Sequence, residues 1–385
     1  MRIGSMRSIK AIAVYDDGFG LYSMDVSFDY DLDRVISRGI TDDRSLIESI
    51  RKEVLPFIPL RIRAPEFACT AFMMRAGERI LMGRNYDFKF DTSALLVRCR
   101  PRNGYASVAF AALDNIDANS PSTFRSRLAC LTAPFICLDG MNEKGVSIAV
   151  LTLDSEPTRQ TSCSRPGIST SLAIRLVLDR ADSTAKAVEL LKGYGMIATG
   201  GRDYHFYITD SKGDGRVVEY DCDSEDRRLV DTKCEAVTNF YAMHQDKVAP
   251  GRRNGIYGHG KERYDAAMGI IEDTRDSACH EDAWIALRAT SQTPNPDDIT
   301  SNTQWSLVYD DTELSGEVSI RLHWEDRFGF ELGTTDVVRK PTVRSSRCGR
   351  SCHEIIGAPC LPHTSGTHRD SEHGRLSRDG GFRDR

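Results

Sequence analysis

The chain has 385 residues, of which 40% are hydrophobic and 28% charged, with 51 basic and 56 acidic side chains and a formal net charge of −5 at pH 7. This composition can build one large core or two modest ones, and it lacks the cationic excess that binds nucleic acid or anionic lipid. No apolar stretch is long enough to span a membrane, and the apolar run at residues 11–14 is too short for a secretory signal. The odd count of eleven scattered cysteines favours reduced thiols. We therefore expect a cytoplasmic protein without a nucleic-acid or membrane partner.

Residues 1–68 form a leading segment. Its clearest element is a helix predicted over residues 42–55, where apolar side chains recur at helical spacing before a proline: Leu46, Ile47, Ile50, Val54 and then Pro56. The rest of this segment is expected to be extended chain.

Residues 69–338 are predicted to be the folded body. Strand-like runs occur at residues 80–82, 95–97, 146–153, 206–209, 217–220 and 305–309, and helical runs at 172–178, 185–191, 262–271 and 282–287. Glycine-containing turns at 75–78 and 211–215 predict hairpins, and alternation over 318–324 predicts a strand with one buried face. Antiparallel strands interspersed with helices indicate a layered α+β domain.

Residues 339–385 are predicted to be a disordered basic tail. From residue 340 onward the chain carries nine basic and five acidic residues, and small and polar residues replace the aliphatic ones. The tail holds residue types that zinc prefers, but their spacing does not match a common zinc finger: Cys348, Cys352, His353, Cys360 and His363. The glycine-rich run at 193–201 follows a predicted helix and precedes none, whereas a phosphate-binding loop precedes a helix, so this run is predicted to be a helix end. No metal site and no cofactor are predicted.

The hairpin that begins at Cys69 is apolar on both faces near its turn, so it belongs inside a sandwich, covered on two sides. If residues 75–78 form the loop, antiparallel register sets Cys69 opposite Arg84, where the guanidinium favours the thiolate. Asp87 lies just beyond and can pair with Arg84 or hold an amine. On the hairpin alone, a buried and inert cysteine is the more common interpretation.

Five short motifs follow one another along the body. They are Cys69-Thr70-Ala71-Phe72, Gly83-Arg84-Asn85-Tyr86-Asp87-Phe88, Asp139-Gly140-Met141-Asn142-Glu143-Lys144-Gly145, Thr238-Asn239 and Trp305-Ser306-Leu307-Val308-Tyr309. In this order they resemble the choloylglycine hydrolase family of N-terminal-nucleophile hydrolases, which includes bile-salt hydrolases, penicillin V acylases and related acyltransferases. The resemblance implies an αββα sandwich of two antiparallel sheets between helical layers.

The resemblance also implies a set of site residues. Cys69 is similar to the nucleophile, and Arg84 and Asp87 to the residues that position its thiol and amine. Asn239 corresponds to the oxyanion donor and Arg263 to a later active-site arginine, although a helix-surface arginine explains Arg263 equally well. Where bile-salt hydrolases and penicillin acylases carry Asn or Tyr, this chain has the shorter Thr152, so a substrate or oxyanion role there is open.

The implied chemistry is hydrolysis of a linear carbon–nitrogen amide bond in a small molecule. Sixty-eight residues precede Cys69, so we expect its thiol to attack the Ala68 carbonyl and water to release residues 1–68 as a propeptide. The freed α-amine, with an ordinary pKa near 8, then serves as the base for the thiol.

Three alternatives stay open at this stage. Transfer of the acyl group to an amine would make the chain an acyltransferase, and an uncleaved chain would be an inactive binding or scaffold protein. A cysteine protease would need a histidine base, for which the sequence offers His205, His244, His259, His280 and His323 outside any protease motif. Compact relatives often pair, so a homo-oligomer is compatible with the resemblance.

Overall fold

A computed structural model describes residues 3–16, 18, 20–56, 68–88, 92–153, 164–251, 256–294 and 302–340. Within these residues the α-helices are α1 (Ile3–Lys10), α2 (Leu32–Ser37), α3 (Asp43–Val54), α4 (Phe124–Ala129), α5 (Thr170–Arg180), α6 (Thr184–Lys192), α7 (Lys261–Thr274) and α8 (His280–Ala289). Short 3-10 helices lie at Leu113–Ile116, Cys130–Phe135, Thr199–Gly201 and Ala242–Lys247. No helix in this part of the chain combines the length and apolar character needed to cross a bilayer.

The strands of the same residues are β1 (Ala13–Asp16), β2 (Leu21–Asp25), β3 (Ala68–Ala76), β4 (Arg79–Phe88), β5 (Ala94–Cys99), β6 (Ser107–Ala112), β7 (Cys137–Asn142), β8 (Val146–Leu153), β9 (Gly167–Ile168), β10 (Gly195–Met196), β11 (Asp203–Asp210), β12 (Arg216–Tyr220), β13 (Leu229–Lys233), β14 (Ala236–Val237), β15 (Asn239–Phe240), β16 (Gly258–His259), β17 (Asn302–Asp310), β18 (Ser315–Ile320), β19 (Arg327–Glu331) and β20 (Val337–Lys340). All six strand-like runs and all four helical runs predicted for the body lie within elements of the predicted type.

Two large sheets form the centre of the fold. One has nine strands in the order β1-β2-β5-β6-β7-β8-β11-β12-β13, and the other has seven in the order β14-β3-β4-β17-β18-β19-β20. Their strand pairs are antiparallel except that β2 runs parallel to β5. Two small pairs, β9 with β10 and β15 with β16, complete the pairing.

The two sheets pack face to face, with helices on both outer sides. Strand β3 of the seven-stranded sheet contacts β8 and β11 of the nine-stranded sheet. Helix α5 covers β7 and β8, and α6 covers β11 and β13, while α7 and α8 cover β3, β4 and neighbouring strands of the other sheet. This layering is the αββα sandwich that the sequence predicted.

The β3–β4 hairpin shows why the sequence folds this way. Phe72, Met74 and Leu81 face the helices and pack with Trp284 of α8. Cys69, Ala71, Met82 and Tyr86 face the other way, into the core between the sheets. Because side chains alternate along a strand, a hairpin that is apolar on both faces needs a layer on each side.

The register of this hairpin differs from the prediction. Its loop contains only Gly77 and Glu78, so Cys69 pairs with Tyr86, and Arg84 pairs with Ala71. Gly77 has φ +64°, a conformation that glycine adopts without steric cost, which permits the tighter turn. The slip is two residues, so Arg84 keeps the face that was predicted for it.

The alternation over residues 318–324 also extends past its strand. Strand β18 ends at Ile320, because Arg321 and Leu322 adopt positive φ angles of 49° and 64° that turn the chain. Trp324 is therefore not part of this strand but lies against Trp284 of α8.

The leading segment contains more structure than was predicted. The helix expected at residues 42–55 is present as α3, with a capping box between Asp42 and Ser45. The remainder, expected to be extended, also contains α1, β1, β2 and α2. At the other end, β20 includes the first two residues of the predicted tail, and the rest of the tail lies outside the described residues.

Candidate active site

Cys69 lies at the start of β3, with its side chain between the two sheets and no exposed surface. Its backbone N–H donates to Oδ1 of Asn239 at 2.9 Å. Its Sγ is 3.6 Å from Nη2 of Arg84. The backbone nitrogen and the sulfur of this one residue therefore each face a polar side chain.

The thiol is held in its neutral form. The pKa of Cys69 is raised to about 12, mainly by burial and to a smaller extent by the Asp87 carboxylate. The guanidiniums of Arg84 and Arg263 and the backbone N–H of Asp87 oppose this rise. In the intact chain the sulfur is thus a weak nucleophile with cationic groups already beside it.

Arg84 links the two sheets. Its Nε is 2.8 Å from Oδ2 of Asp139 on β7, and neither side chain is exposed. Its Nη1 donates to the backbone carbonyl of Val150 on β8 at 2.8 Å. Asp139 of the facing sheet therefore supplies a carboxylate in contact with Arg84, which was one of the two roles considered for Asp87, the other being to hold an amine.

Sequence reasoning quoted Asp139 within a motif but gave it no role. Its Oδ1 accepts a hydrogen bond from the Tyr309 hydroxyl at 2.7 Å. Burial raises the pKa of Asp139, and Arg84 and the Tyr309 hydroxyl oppose that rise. A carboxylate in the middle of a strand between Leu138 and Gly140 was the available signal, since buried charges are nearly always paired.

Asp87 is held by neutral donors. Its Oδ1 accepts from the Thr303 hydroxyl at 2.6 Å and its Oδ2 from Nε2 of Gln292 at 2.7 Å. Burial raises the pKa of Asp87, against the influence of Arg263, whose Nη1 is 4.0 Å from Oδ2. Sequence reasoning missed Thr303 and Gln292, which come from distant parts of the chain.

Asn239 connects Cys69 to the neighbouring sheet. Its Oδ1 accepts from the Cys69 N–H, while its Nδ2 donates to the backbone carbonyl of Thr152 at 2.7 Å. These contacts orient the side-chain amide. The second N–H of Nδ2 is not used by Thr152 and remains chemically able to donate.

Arg263 lies inside the site and not on a helix surface. It is the third residue of α7 and is 8% exposed. Its Nη1 donates to the Cys69 carbonyl at 2.6 Å and to the Thr70 hydroxyl at 3.0 Å, and its Nη2 donates to Oδ1 of Asn239 at 2.8 Å. One guanidinium therefore holds the backbone of Cys69 and the amide of Asn239 together.

Thr152 is placed near these groups by its backbone. Its carbonyl accepts from Asn239, and its buried Oγ1 makes no hydrogen bond. Two of the candidate histidines lie beside this region: Nε2 of His205 is 2.8 Å from the carbonyl of Thr238, the residue before Asn239, and His259 pairs with Asn239 between β15 and β16. Burial lowers the pKa of His205 to about 4, which makes it a poor base near neutral pH.

The other five candidate site residues thus gather around Cys69, Thr152 through its contact with Asn239. The groups that surround the sulfur and nitrogen are guanidiniums, an amide and a carboxylate, a set suited to acyl transfer through a thiol. A separate group of side chains of the types that ligate metals, formed by Cys222, Asp223 and His244, lies outside this set.

Part of the chain matches a known protein family. Residues 69–239 match the family model described as linear amide C-N hydrolases, choloylglycine hydrolase family. Among curated proteins, none matches the chain. Among solved structures, the chain is similar to penicillin V acylase from Agrobacterium tumefaciens, with a TM-score of 0.49 and 18% identity over 70% of this chain and 90% of that one.

It is also similar to a variant of conjugated bile acid hydrolase from Clostridium perfringens, with a TM-score of 0.49 and 15% identity over 71% of this chain and 97% of that one. The family match runs from Cys69 to Asn239, the candidate nucleophile and the candidate oxyanion donor. The resemblance to the choloylglycine hydrolase family of linear amide hydrolases is therefore confirmed over residues 69–239.

Proposed function

We propose that this chain hydrolyses a linear carbon–nitrogen amide bond with Cys69 as the nucleophile, after cleavage between Ala68 and Cys69. One observation carries the proposal: the sulfur of Cys69 faces Arg84 while the nitrogen of the same residue faces Asn239. N-terminal-nucleophile chemistry needs both atoms of one residue in reach of such groups, because the freed nitrogen becomes the base.

The first step is an acyl shift within the chain. The Cys69 sulfur attacks the Ala68 carbonyl carbon, the carbon–nitrogen bond breaks, and the nitrogen takes the thiol proton. Water then hydrolyses the resulting thioester, which leaves a carboxylate on Ala68 and an amine and a thiol on Cys69. Arg263 supports this step because it holds the Cys69 carbonyl and thereby fixes the backbone at the bond to be cut.

In the mature site the α-amine takes the thiol proton and the thiolate attacks a substrate amide. The tetrahedral oxyanion needs donors, and we assign one of these roles to the second N–H of the Asn239 side-chain amide. The substrate nitrogen leaves with the proton from the α-ammonium, and water, activated by the same amine, hydrolyses the thioester. Arg84 stabilises the thiolate, and Asp139 holds Arg84 in place.

The packing of the leading segment supports retention after cleavage, in place of the release expected from the sequence. Strand β2 is hydrogen-bonded to β5 of the nine-stranded sheet. Helices α2 and α3 contribute buried apolar side chains to the main core, including Val35 and Ile50, which have no exposed surface. Removing these residues would expose apolar area throughout one end of the core.

Intact mass and N-terminal sequencing of the purified protein test cleavage. We expect two fragments that meet between Ala68 and Cys69, and a Cys69→Ala variant that keeps its full mass. Cys279→Ser is the matched control, because this half-buried cysteine lies at the start of α8 and should not affect cleavage. Parent protein that stays full-length after long incubation, with Cys69 unlabelled by a thiol electrophile, would support an inactive scaffold.

Product analysis tests the reaction. Penicillin V and a conjugated bile acid are the first probes, since the structurally similar proteins are named for them. Hydrolysis gives the free acid. A new amide, formed when a competing amine is added, would show acyl transfer from the same thioester.

A further inference from the structure

A second cluster of reactive side chains lies away from Cys69. Cys222 and Asp223 follow strand β12, and His244 lies in the 3-10 helix Ala242–Lys247. Cys222 is 2% exposed and His244 is 8% exposed. The cluster thus brings a thiol, a carboxylate and an imidazole to one place with two of the three buried.

The distances in this cluster approach those of a metal site. Nε2 of His244 is 3.1 Å from Oδ2 of Asp223, and Sγ of Cys222 is 3.8 Å from Oδ1 of Asp223. One ligand atom from each residue lies within 4.8 Å of the others. In a tetrahedral zinc site, ligands about 2.0–2.3 Å from the ion lie about 3.3–3.8 Å apart, so small side-chain movements would close the site.

A second observation points to a missing ligand. Nε2 of His244 is buried and faces Oδ2 of Asp223 at 3.1 Å, in a contact that lacks the geometry of a hydrogen bond. Buried polar atoms are nearly always satisfied, and a bound cation would give both atoms a shared partner.

The surrounding residues hold these ligands in place. The Asp221 carboxylate accepts from the backbone N–H groups of Asp223 and Ser224, which fixes the loop. The Tyr257 hydroxyl donates to Oδ2 of Asp223 at 3.3 Å, and its ring lies 4.2 Å from that of His244. Such outer contacts orient ligands in known metal sites.

We propose that Cys222, Asp223 and His244 bind a Zn²⁺ ion, with the fourth position taken by water. Zinc accepts sulfur, nitrogen and carboxylate oxygen together, whereas calcium and magnesium prefer oxygen alone. The sequence predicted no metal here because residues 222 and 244 are far apart in the chain and match no zinc motif. This inference does not depend on the proposed amidase function.

The position of the cluster gives the ion a structural role next to the active site. Cys222 packs with Leu153 and Tyr241 in one small apolar cluster. Leu153 follows Thr152 directly, and Tyr241 is two residues after Asn239. An ion that joins the loop after β12 to the 3-10 helix would therefore stiffen the segments that carry these two side chains.

Lys247 provides an internal check. Its Nζ is 3.3 Å from Nδ1 of His244, and a ligating imidazole must carry a proton on that nitrogen. The ammonium therefore has to move before zinc binds, which its exposed position permits. We expect Lys247→Met to tighten zinc binding, whereas in a plain His–Asp pair this substitution would create no metal affinity.

The test uses the full-length protein, stripped with a chelator and titrated with Zn²⁺ alone or with Co²⁺ as a spectroscopic probe. We expect one equivalent per chain at this site, with a cysteine-to-cobalt charge-transfer band. The band should disappear in Cys222→Ser, and Asp223→Asn and His244→Asn should weaken binding about tenfold or more. Asp223 is exposed enough that its variant should fold normally, which thermal unfolding of the metal-free proteins will check.

Two controls separate this site from other thiols. Cys279→Ser should bind metal as the parent does. A triple serine variant of Cys348, Cys352 and Cys360 removes the tail cysteines and should keep the band as well. The proposal is overturned if the stripped parent binds no Zn²⁺ at micromolar concentration, if Cys222→Ser keeps the band, or if the tail variant loses it.

Discussion

The buried ion pair between Arg84 and Asp139 allows the most demanding test of the site. Both side chains have no exposed surface, and their closest charged atoms are 2.8 Å apart. Asp139→Asn keeps the shape but leaves the guanidinium without its carboxylate. Breaking a buried pair in this way costs about 3–5 kcal/mol of unfolding free energy, a large fraction of the total for a domain.

Two further variants test whether the unpaired charge causes the loss of stability in Asp139→Asn. Tyr309→Phe removes only the hydroxyl that donates to Asp139 and should cost about 1–3 kcal/mol. The double variant Arg84→Met/Asp139→Leu contains no unpaired charge, so it should be more stable than Asp139→Asn even though it carries two changes.

The measurement is urea-induced unfolding of each variant in a Cys69→Ala background, which removes the thiol proposed to cut the chain. The reasoning would be refuted if Asp139→Asn cost less than about 1 kcal/mol, or if the double variant were less stable than Asp139→Asn. Either outcome would mean that the pair does not bridge the two sheets as a charged unit.

Further predictions concern cleavage, packing and pH. Arg263→Met should slow cleavage at Ala68–Cys69 about 10- to 100-fold, because it removes charged hydrogen bonds to Cys69 and Asn239. Arg288→Met, on the surface of α8, is the control and should cleave at the parent rate. After cleavage, residues 1–68 should co-elute with the rest of the chain in size-exclusion chromatography, and a loss of this fragment under native conditions would contradict the packing seen for the leading segment. Burial raises the pKa of Asp311 from 3.8 to about 8, so its contribution to stability is full below pH 3.8 and is lost as the pH rises through 8. Asp311→Asn should therefore make the melting temperature depend less on pH across this range. If the pH dependence of the melting temperature were unchanged, this carboxyl would not be protonated in the folded state.

The correct predictions from the sequence come mainly from the spacing of apolar residues along the chain. The apolar run at residues 146–153 coincides with β8, because a strand covered on both faces has to be apolar throughout. The placement of Cys69 and Arg84 on one face survived an error of two residues in the hairpin register. Side chains alternate with a period of two, so an even slip changes partners but not faces.

The resemblance supplied the roles that pattern could not. Nothing in the periodicity of α7 separates a surface arginine from one that reaches Cys69, yet the resemblance, carried over by position, made Arg263 a candidate. The structure decided its place: it is buried, with its guanidinium on the Cys69 carbonyl and the Asn239 amide.

Only the tertiary structure decided the contacts between the two sheets and between distant segments of the chain. The positive charge of Arg84 is paired with Asp139 of β7 instead of Asp87 of its own strand, because the packing of the two sheets brings β7 against Arg84. Strand β2 of the leading segment joins the sheet in parallel beside β5, and Cys222 meets His244 across a loop. The sequence by itself determined which residues alternate, which are buried and which chemistry they offer. The pairing of distant charges and ligands depends on how two sheets pack, and that is set by the sum of many weak apolar contacts which no local motif encodes.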